Sequence, residues 1–187
     1  RDNPNSIRDN LVYDVFEIDG IFYCGTATGL DALIREADKF VHYFPTGGVG
    51  FAVHDIFYDS KQRLWLGTSA GLYLFDITNK SFTEYPTIES STEKDFIYRI
   101  AEDHNGDLWI GAKQGLRRLD HLTLKPIGLT GNGINNTRLE ESWVKSVYCD
   151  RNGNIWIGTQ GRGASKYEPS TETVTTYQKS NDKDGIA

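Results

Sequence analysis

Methionine is absent from this chain, cysteine occurs only at Cys24 and Cys149, and no cluster of basic residues breaks a net charge of −6. Each absence excludes something. Without a basic patch there is no electrostatic footprint for a phosphate backbone, so no nucleic-acid partner is expected. No apolar run is long enough to cross a bilayer as a helix. The chain starts at Arg1 with neither an initiator Met nor a signal peptide, which reads as a processed form or a piece of a longer protein. The two cysteines lack any metal-ligand spacing and are expected to be separate thiols. HExxH, CxxC, GxSxG and P-loop patterns are missing, and the four histidines, His42, His54, His104 and His121, are scattered. Asp103, Asn105 and Gly106 resemble the start of a calcium loop but lack the ligand at its twelfth position, so hairpin chemistry is the better reading. No catalytic residue, metal or cofactor is therefore expected.

What is present is aromatic residues at 12% and 19 glycines, a mix that suits strands and tight turns. Self-similarity organises them. An aromatic followed two residues later by Gly recurs as Tyr23/Gly25, Trp65/Gly67, Trp109/Gly111 and Trp156/Gly158. Each anchor sits in a repeat of about 42–47 residues that reads as four short antiparallel strands. Such a unit cannot bury both faces alone, and radial repetition solves that problem. The expected fold is all-β, a β-propeller segment over 1–187 with blades at about 11–51, 52–95, 96–142 and 143–187. It is expected to belong to a larger propeller or to be completed by a second copy of the chain. The three tryptophans are expected to pack blade against blade, and the following Gly to allow close backbone approach. Asp19-Gly20, Asn105-Gly106 and Asn152-Gly153 suggest hairpin turns with φ > 0 at both positions, whereas Lys61-Gln62 suggests a looser turn. No helix longer than a turn or two is expected, with 129–143 as the place for an exception.

The string Asp-x-x-Gly-x-Leu/Ile-Trp-Ile/Leu-Gly-Thr-x-x-Gly-Leu carries a more specific resemblance. It occurs over Asp103–Leu116 with Ala112 for Thr, over Asp150–Thr159 followed by Gly163, and over Asp59–Leu72 apart from Gln62. It resembles the two-component regulator propeller repeat. Tyr23 for Trp and the extra residue in Gly161-Arg162-Gly163 depart from the pattern. The resemblance implies a seven-bladed propeller serving as a periplasmic sensor domain of a hybrid two-component system. It further implies an anchor through a membrane span outside this segment and an oligosaccharide-like ligand.

In a blade the first strand lines the channel, and the loops from strand four to the next strand one share a face with those from strand two to three. Ligand residues are expected there. The second and third residues of the inner strands are Tyr13-Asp14, His54-Asp55, Tyr98-Arg99 and Lys145-Ser146, and Trp143 is the one Trp outside the repeat position. These positions differ between repeats while packing positions do not, as recognition of an asymmetric ligand requires. The expected binding residues are Tyr13, His54, Asp55, Tyr98, Arg99, Trp143 and Lys145. Glu140-Glu141 is a further carboxylate pair in the longest loop. Two other functions compete with ligand sensing. A protein-interaction scaffold would use one face of the propeller, and a propeller lyase would need a His and a carboxylate to converge with a metal at the mouth.

Overall fold

The computed structural model describes residues 3–45, 50–88, 94–129, 139 and 142–179. Among these lie sixteen strands in four antiparallel sheets, each a simple meander. The first sheet joins β1 (Val12–Ile18), β2 (Ile21–Thr26), β3 (Leu30–Ile34) and β4 (Lys39–Tyr43). The second joins β5 (Val53–Tyr58), β6 (Leu64–Thr68), β7 (Gly71–Asp76) and β8 (Ser81–Tyr85). The third joins β9 (Ile97–Glu102), β10 (Leu108–Ala112), β11 (Gly115–Leu119) and the two-residue β12 (Pro126–Ile127). The fourth joins β13 (Val144–Cys149), β14 (Ile155–Thr159), β15 (Ala164–Glu168) and β16 (Thr173–Tyr177). A helical turn, Arg35–Ala37, links β3 to β4; of 129–143 most lies outside the described residues, and Leu139 there is also in a 3-10 conformation.

The inner strands β1, β5, β9 and β13 stand side by side, each against the next. Three apolar clusters fill the seams between sheets. Tyr23 packs with Val53, Ile56, Leu64 and Phe75 of the second sheet. Trp65 packs with Ile97, Ile100 and Ile110 of the third, and Trp109 with Val144, Val147 and Ile157 of the fourth. Both indoles are fully buried. The Gly two residues on is where the next inner strand arrives. A Cβ on Gly25 would lie 2.6 Å from the Val53 carbonyl oxygen, on Gly67 2.8 Å from Ile97 Cγ2, and on Gly111 2.9 Å from Val144 Cγ1. Among the described residues no fifth sheet faces Trp156; it is half-buried and stacks on Tyr177 of its own sheet, with centroids 5.9 Å apart and planes at 18°.

The hairpins between first and second strands correct the turn expectations. Only Asp19-Gly20 has both residues at positive φ, 50° and 78°. In the other three repeats the loop has three residues, and only the last is left-handed: Gln62 (φ 62°), Gly106 (89°) and Gly153 (81°). Gln62 donates to the Asp59 carbonyl at 2.9 Å just as Gly106 does to Asp103 and Gly153 to Asp150, so the second repeat's turn is not looser. The aspartate explains the shared shape. One oxygen of Asp59, Asp103 or Asp150 accepts two loop N–H groups at 2.8–3.0 Å. The other oxygen accepts the indole N–H six residues on, at 2.8, 2.8 and 2.9 Å. One carboxylate thus shapes the turn and orients the packing Trp. Four short donations hold the Asp150 carboxyl down at about 2, the Trp156 bond being the largest cause. Repeat one has the shorter turn and Tyr23 in place of Trp, so both halves of the device are absent together.

Candidate functional site

Each inner strand starts with an irregularity in the same place. Val12 pairs with Thr26 but Asp14 with Gly25; Val53 with Thr68 but Asp55 with Gly67. Ile97 pairs with Ala112 but Arg99 with Gly111, and Val144 with Thr159 but Ser146 with Gly158. One extra residue is inserted each time: Tyr13, His54, Tyr98 and Lys145. A bulge breaks the strict alternation of side chains and redirects the inserted one. The flanking residue of the strand is fixed too. Ala27, Ser69, Lys113 and Gln160, in the loops between second and third strands, donate N–H to the carbonyls of Leu11, Ala52, Phe96 and Trp143 at 2.8–3.0 Å. The two sets of loops therefore meet at the same end of the blades.

The bulged side chains form a row across all four sheets. Tyr13 and His54 have ring centroids 4.4 Å apart, and His54 and Tyr98 6.2 Å apart. The Lys145 ammonium stands 3.5 Å over the Tyr98 ring. Phe96 fills the row, 4.5 Å from His54 and 4.7 Å from Tyr98. Trp143 adds an exposed face, with Lys145 Nζ 5.2 Å from its centroid and Lys113 Nζ 5.1 Å. Five of the seven expected residues, Tyr13, His54, Tyr98, Trp143 and Lys145, thus share one surface. Phe96 and Lys113 are missed by sequence reasoning. The signal for both was positional: Phe96 holds the place before the inner strand that Trp143 holds one repeat later, and Lys113 follows the second strand of the same repeat.

Asp55 and Arg99 are placed differently. The Asp55 carboxylate is buried and spans two inner strands, accepting Ile100 N–H at 2.7 Å and Arg99 Nη1 at 2.9 Å. Asp14 makes the equivalent clasp one repeat earlier, accepting Ile56 N–H at 2.8 Å. Burial pushes the Asp55 carboxyl up to about 7 in spite of Arg99, with Asp14 adding to the rise. The Arg99 side chain is half-exposed, with one end on Asp55. His54 is pushed below the usual imidazole range by burial and by the Lys145 charge, and its Nε2 is buried without a hydrogen-bond partner among the described residues. The row is thus neutral and aromatic at His54 and cationic at Lys145.

Other features lie elsewhere. Glu140 and Glu141 fall outside the described residues. Cys24 is buried, Cys149 half-buried, and both are free. Asp107, Asp120 and His121 approach one another near the β11–β12 turn, but Asp107 is taken by Arg118 at 2.7 Å and by the backbone N–H and Nδ1 of His121, both at 2.8 Å. Asp120 accepts from Leu122, Thr123 N and Thr123 Oγ1, so the group is a turn scaffold. A cleft of about 750 Å³ lies between Asn3–Asn10 and His42 at the outer edge of the first sheet. There Asp31 accepts His42 Nδ1 and Arg8 N–H, both at 2.8 Å, pinning the N-terminal segment.

Comparison with known proteins fits this architecture. Residues 93–114 and 138–161 match the sequence model of the two component regulator propeller family. A curated relative, histidine kinase P4 of Formosa agariphila, is 26% identical over 135 residues, covering 69% of this chain and 9% of the kinase. Among solved structures, the extracellular domain of the hybrid two component system BT4673 from B. thetaiotaomicron superposes with a TM-score of 0.71 at 22% identity, covering 87% of this chain and 22% of that one. The extracellular domain of BT3049 from the same organism gives 0.73 at 17% identity, covering 99% and 24%. The chain therefore spans less than a quarter of the length of these solved domains.

Proposed function

We propose that this chain is part of a non-catalytic extracytoplasmic sensor propeller of a two-component signalling protein, with blades at about 11–51, 52–95, 96–142 and 143–187. Its ligand is an oligosaccharide or a related polar molecule, held at the mouth where the inner strands begin. The observation that carries this reading is the bulge repeated in all four inner strands, which gathers Tyr13, His54, Tyr98 and Lys145 into one row. Bulges re-aim side chains beside binding sites, and a row of flat apolar rings flanked by cations suits the faces and hydroxyls of a sugar. The relatives named above are a histidine kinase and extracellular domains of hybrid two component systems, which supports a signalling role.

A thermal-shift screen against plant and host glycans tests it. A true ligand raises apparent stability by about 2.7 kcal/mol at a hundredfold excess over Kd. Trp143→Ala is expected to remove the shift while leaving the unliganded transition in place, because the Trp143 side chain is 40% exposed and outside the three packed seams. Absence of a shift with every glycan class would overturn the reading. Arg99→Ala is a poorer probe, since it strips the buried Asp55 of its counter-charge.

The flanks of the segment take a second role in this proposal. Val15 of β1, 52% exposed, and Tyr148 of β13, 62% exposed, face no inner-strand neighbour among the described residues. Further blades of the same protein, or a second copy of the chain, would cover them.

A further inference from the structure

The mouth has a charge that the rest of the chain does not lead one to expect. At −6 the chain as a whole repels anions, and yet two lysines meet at one ring. Lys113 comes from the β10–β11 turn of the third sheet and Lys145 from the bulge of the fourth, with their ammonium groups 5.1 and 5.2 Å from the Trp143 ring centroid. The equivalent positions elsewhere are uncharged or aromatic: Ala27, Ser69 and Gln160 for Lys113, Tyr13, His54 and Tyr98 for Lys145. Both cations therefore belong to a single seam. Neither ammonium has a carboxylate partner among the described residues. Among the described residues, the acids near the seam already have partners. Asp55 is bound to Arg99 and Ile100, and Asp95 is buried beside Arg117 and accepts Gln114 N–H. Burial, and after it the Lys145 charge, lowers the pKa of His54 in the same row.

Two like charges gathered about one aromatic ring repel each other. A ligand anion between them relieves the repulsion while a ring of the same ligand lies on the exposed Trp143 face. Resting on the proposed saccharide reading, we infer that the mouth selects an acidic saccharide, its carboxylate or sulfate held by Lys113 and Lys145 across the Trp143 ring. Tyr13, Phe96 and Tyr98 then carry neutral residues of the same oligosaccharide along the row.

A glycan array with neutral, uronate-bearing and sulfated members, followed by calorimetric titration of the bound members, tests this. Binding is expected to be confined to acidic members, the uronate and sulfate arms deciding which anion is read. Affinity is expected to fall at least tenfold between 50 and 500 mM NaCl, as for a screened contact between partly exposed charges. Lys113→Gln and Lys145→Gln should each weaken binding at least fivefold. Lys113→Arg keeps the charge and is expected to retain most of the affinity, which separates charge recognition from a packing defect. Binding of neutral members only, or undiminished binding by both Gln variants, overturns the inference and leaves the saccharide reading intact. Binding of no glycan overturns the saccharide reading itself, and the inference with it.

Discussion

Arg99 reaches back across the seam to Asp55, Nη1 to Oδ1 at 2.9 Å, from the strand position that Asp14 and Asp55 occupy in the two preceding blades. Asp14 and Asp55 each clamp the backbone of the next inner strand, at Ile56 and Ile100. Arg99 does not continue that series; it turns the second clasp into an ion pair at the edge of the mouth. This link between scaffold and site leaves a carboxylate buried at the centre of the segment.

That carboxylate makes stability depend on pH. The Asp55 carboxyl titrates at about 7 in the folded chain, above the ordinary carboxylate value. The folded state therefore holds this proton where the unfolded state has already released it. The stabilisation this gives is full below about pH 4 and is lost as pH rises through about 7. Asp55→Asn keeps an oxygen for Ile100 N–H and removes the titration. Its unfolding free energy relative to the parent is expected to rise by on the order of 2–3 kcal/mol between pH 5 and pH 8. Urea unfolding at the two pH values measures it; a difference that does not change with pH would show that Asp55 titrates normally.

The shared aspartate and tryptophan give a second expectation. Trp109→Phe keeps the ring in its seam but leaves Asp103 Oδ2 without the indole donor, at a cost of about 1–3 kcal/mol. Trp109→Ala empties the seam as well and should cost about 3–5 kcal/mol. Asp103→Ala loses the indole bond and two loop N–H bonds, and in combination with Trp109→Phe its effect should be less than additive. Full additivity in the double-mutant cycle would mean that the bond contributes nothing.

The repeat, the sheet count and the seams were legible because every blade meets the same kind of neighbour, so its packing positions recur. Tyr23, Trp65 and Trp109 could be placed from spacing alone. The turns were less legible. Lys61-Gln62 looks unsuited to a tight hairpin, yet the Asp59 side chain, two residues upstream, imposes the same loop. The bond from Asp59 to Trp65 spans six residues across a hairpin, and neither residue type announces it. At the mouth, the row of Tyr13, His54, Tyr98 and Lys145 could be suspected from variability, but the bulge that joins them is a matter of strand register, which no single residue marks. Asp55 looked like its neighbours in sequence, whereas one step along a bulged strand separates a surface residue from a buried one.

Gln62 offers a direct check of the turn. At φ 62° a side chain other than Gly or Asn is strained, and its counterparts in repeats three and four are both glycine. Gln62→Gly should stabilise the second blade by about 0.5–1 kcal/mol, the relief of the left-handed conformation exceeding the entropy that glycine adds to the unfolded chain. A rise in thermal midpoint of a few degrees is the expected readout, and destabilisation would count against the turn geometry.

The glycines of the seams report on what lies beyond the fourth blade. Gly111→Ala would drive a Cβ to 2.9 Å from Val144 Cγ1 and 3.1 Å from the Val144 backbone oxygen, in the next inner strand. That strand cannot retreat without opening the seam around Trp109, so the substitution should cost about 1–3 kcal/mol, as for an overpacked core. Gly158 holds the same position in the fourth blade, but there the new Cβ meets only Ser146, mainly its hydroxyl oxygen, which can rotate away. In this 187-residue chain Gly158→Ala should therefore be close to neutral. If a further blade follows in a longer form of the protein, or a second copy docks there, the same substitution should become as costly as Gly111→Ala. Chemical denaturation of both variants in the short and longer forms separates the cases. A large loss for Gly158→Ala in the monomeric short chain would contradict the open flank described at Trp156 and Tyr148, whereas near-neutrality in every form would argue against any blade or second copy on that side.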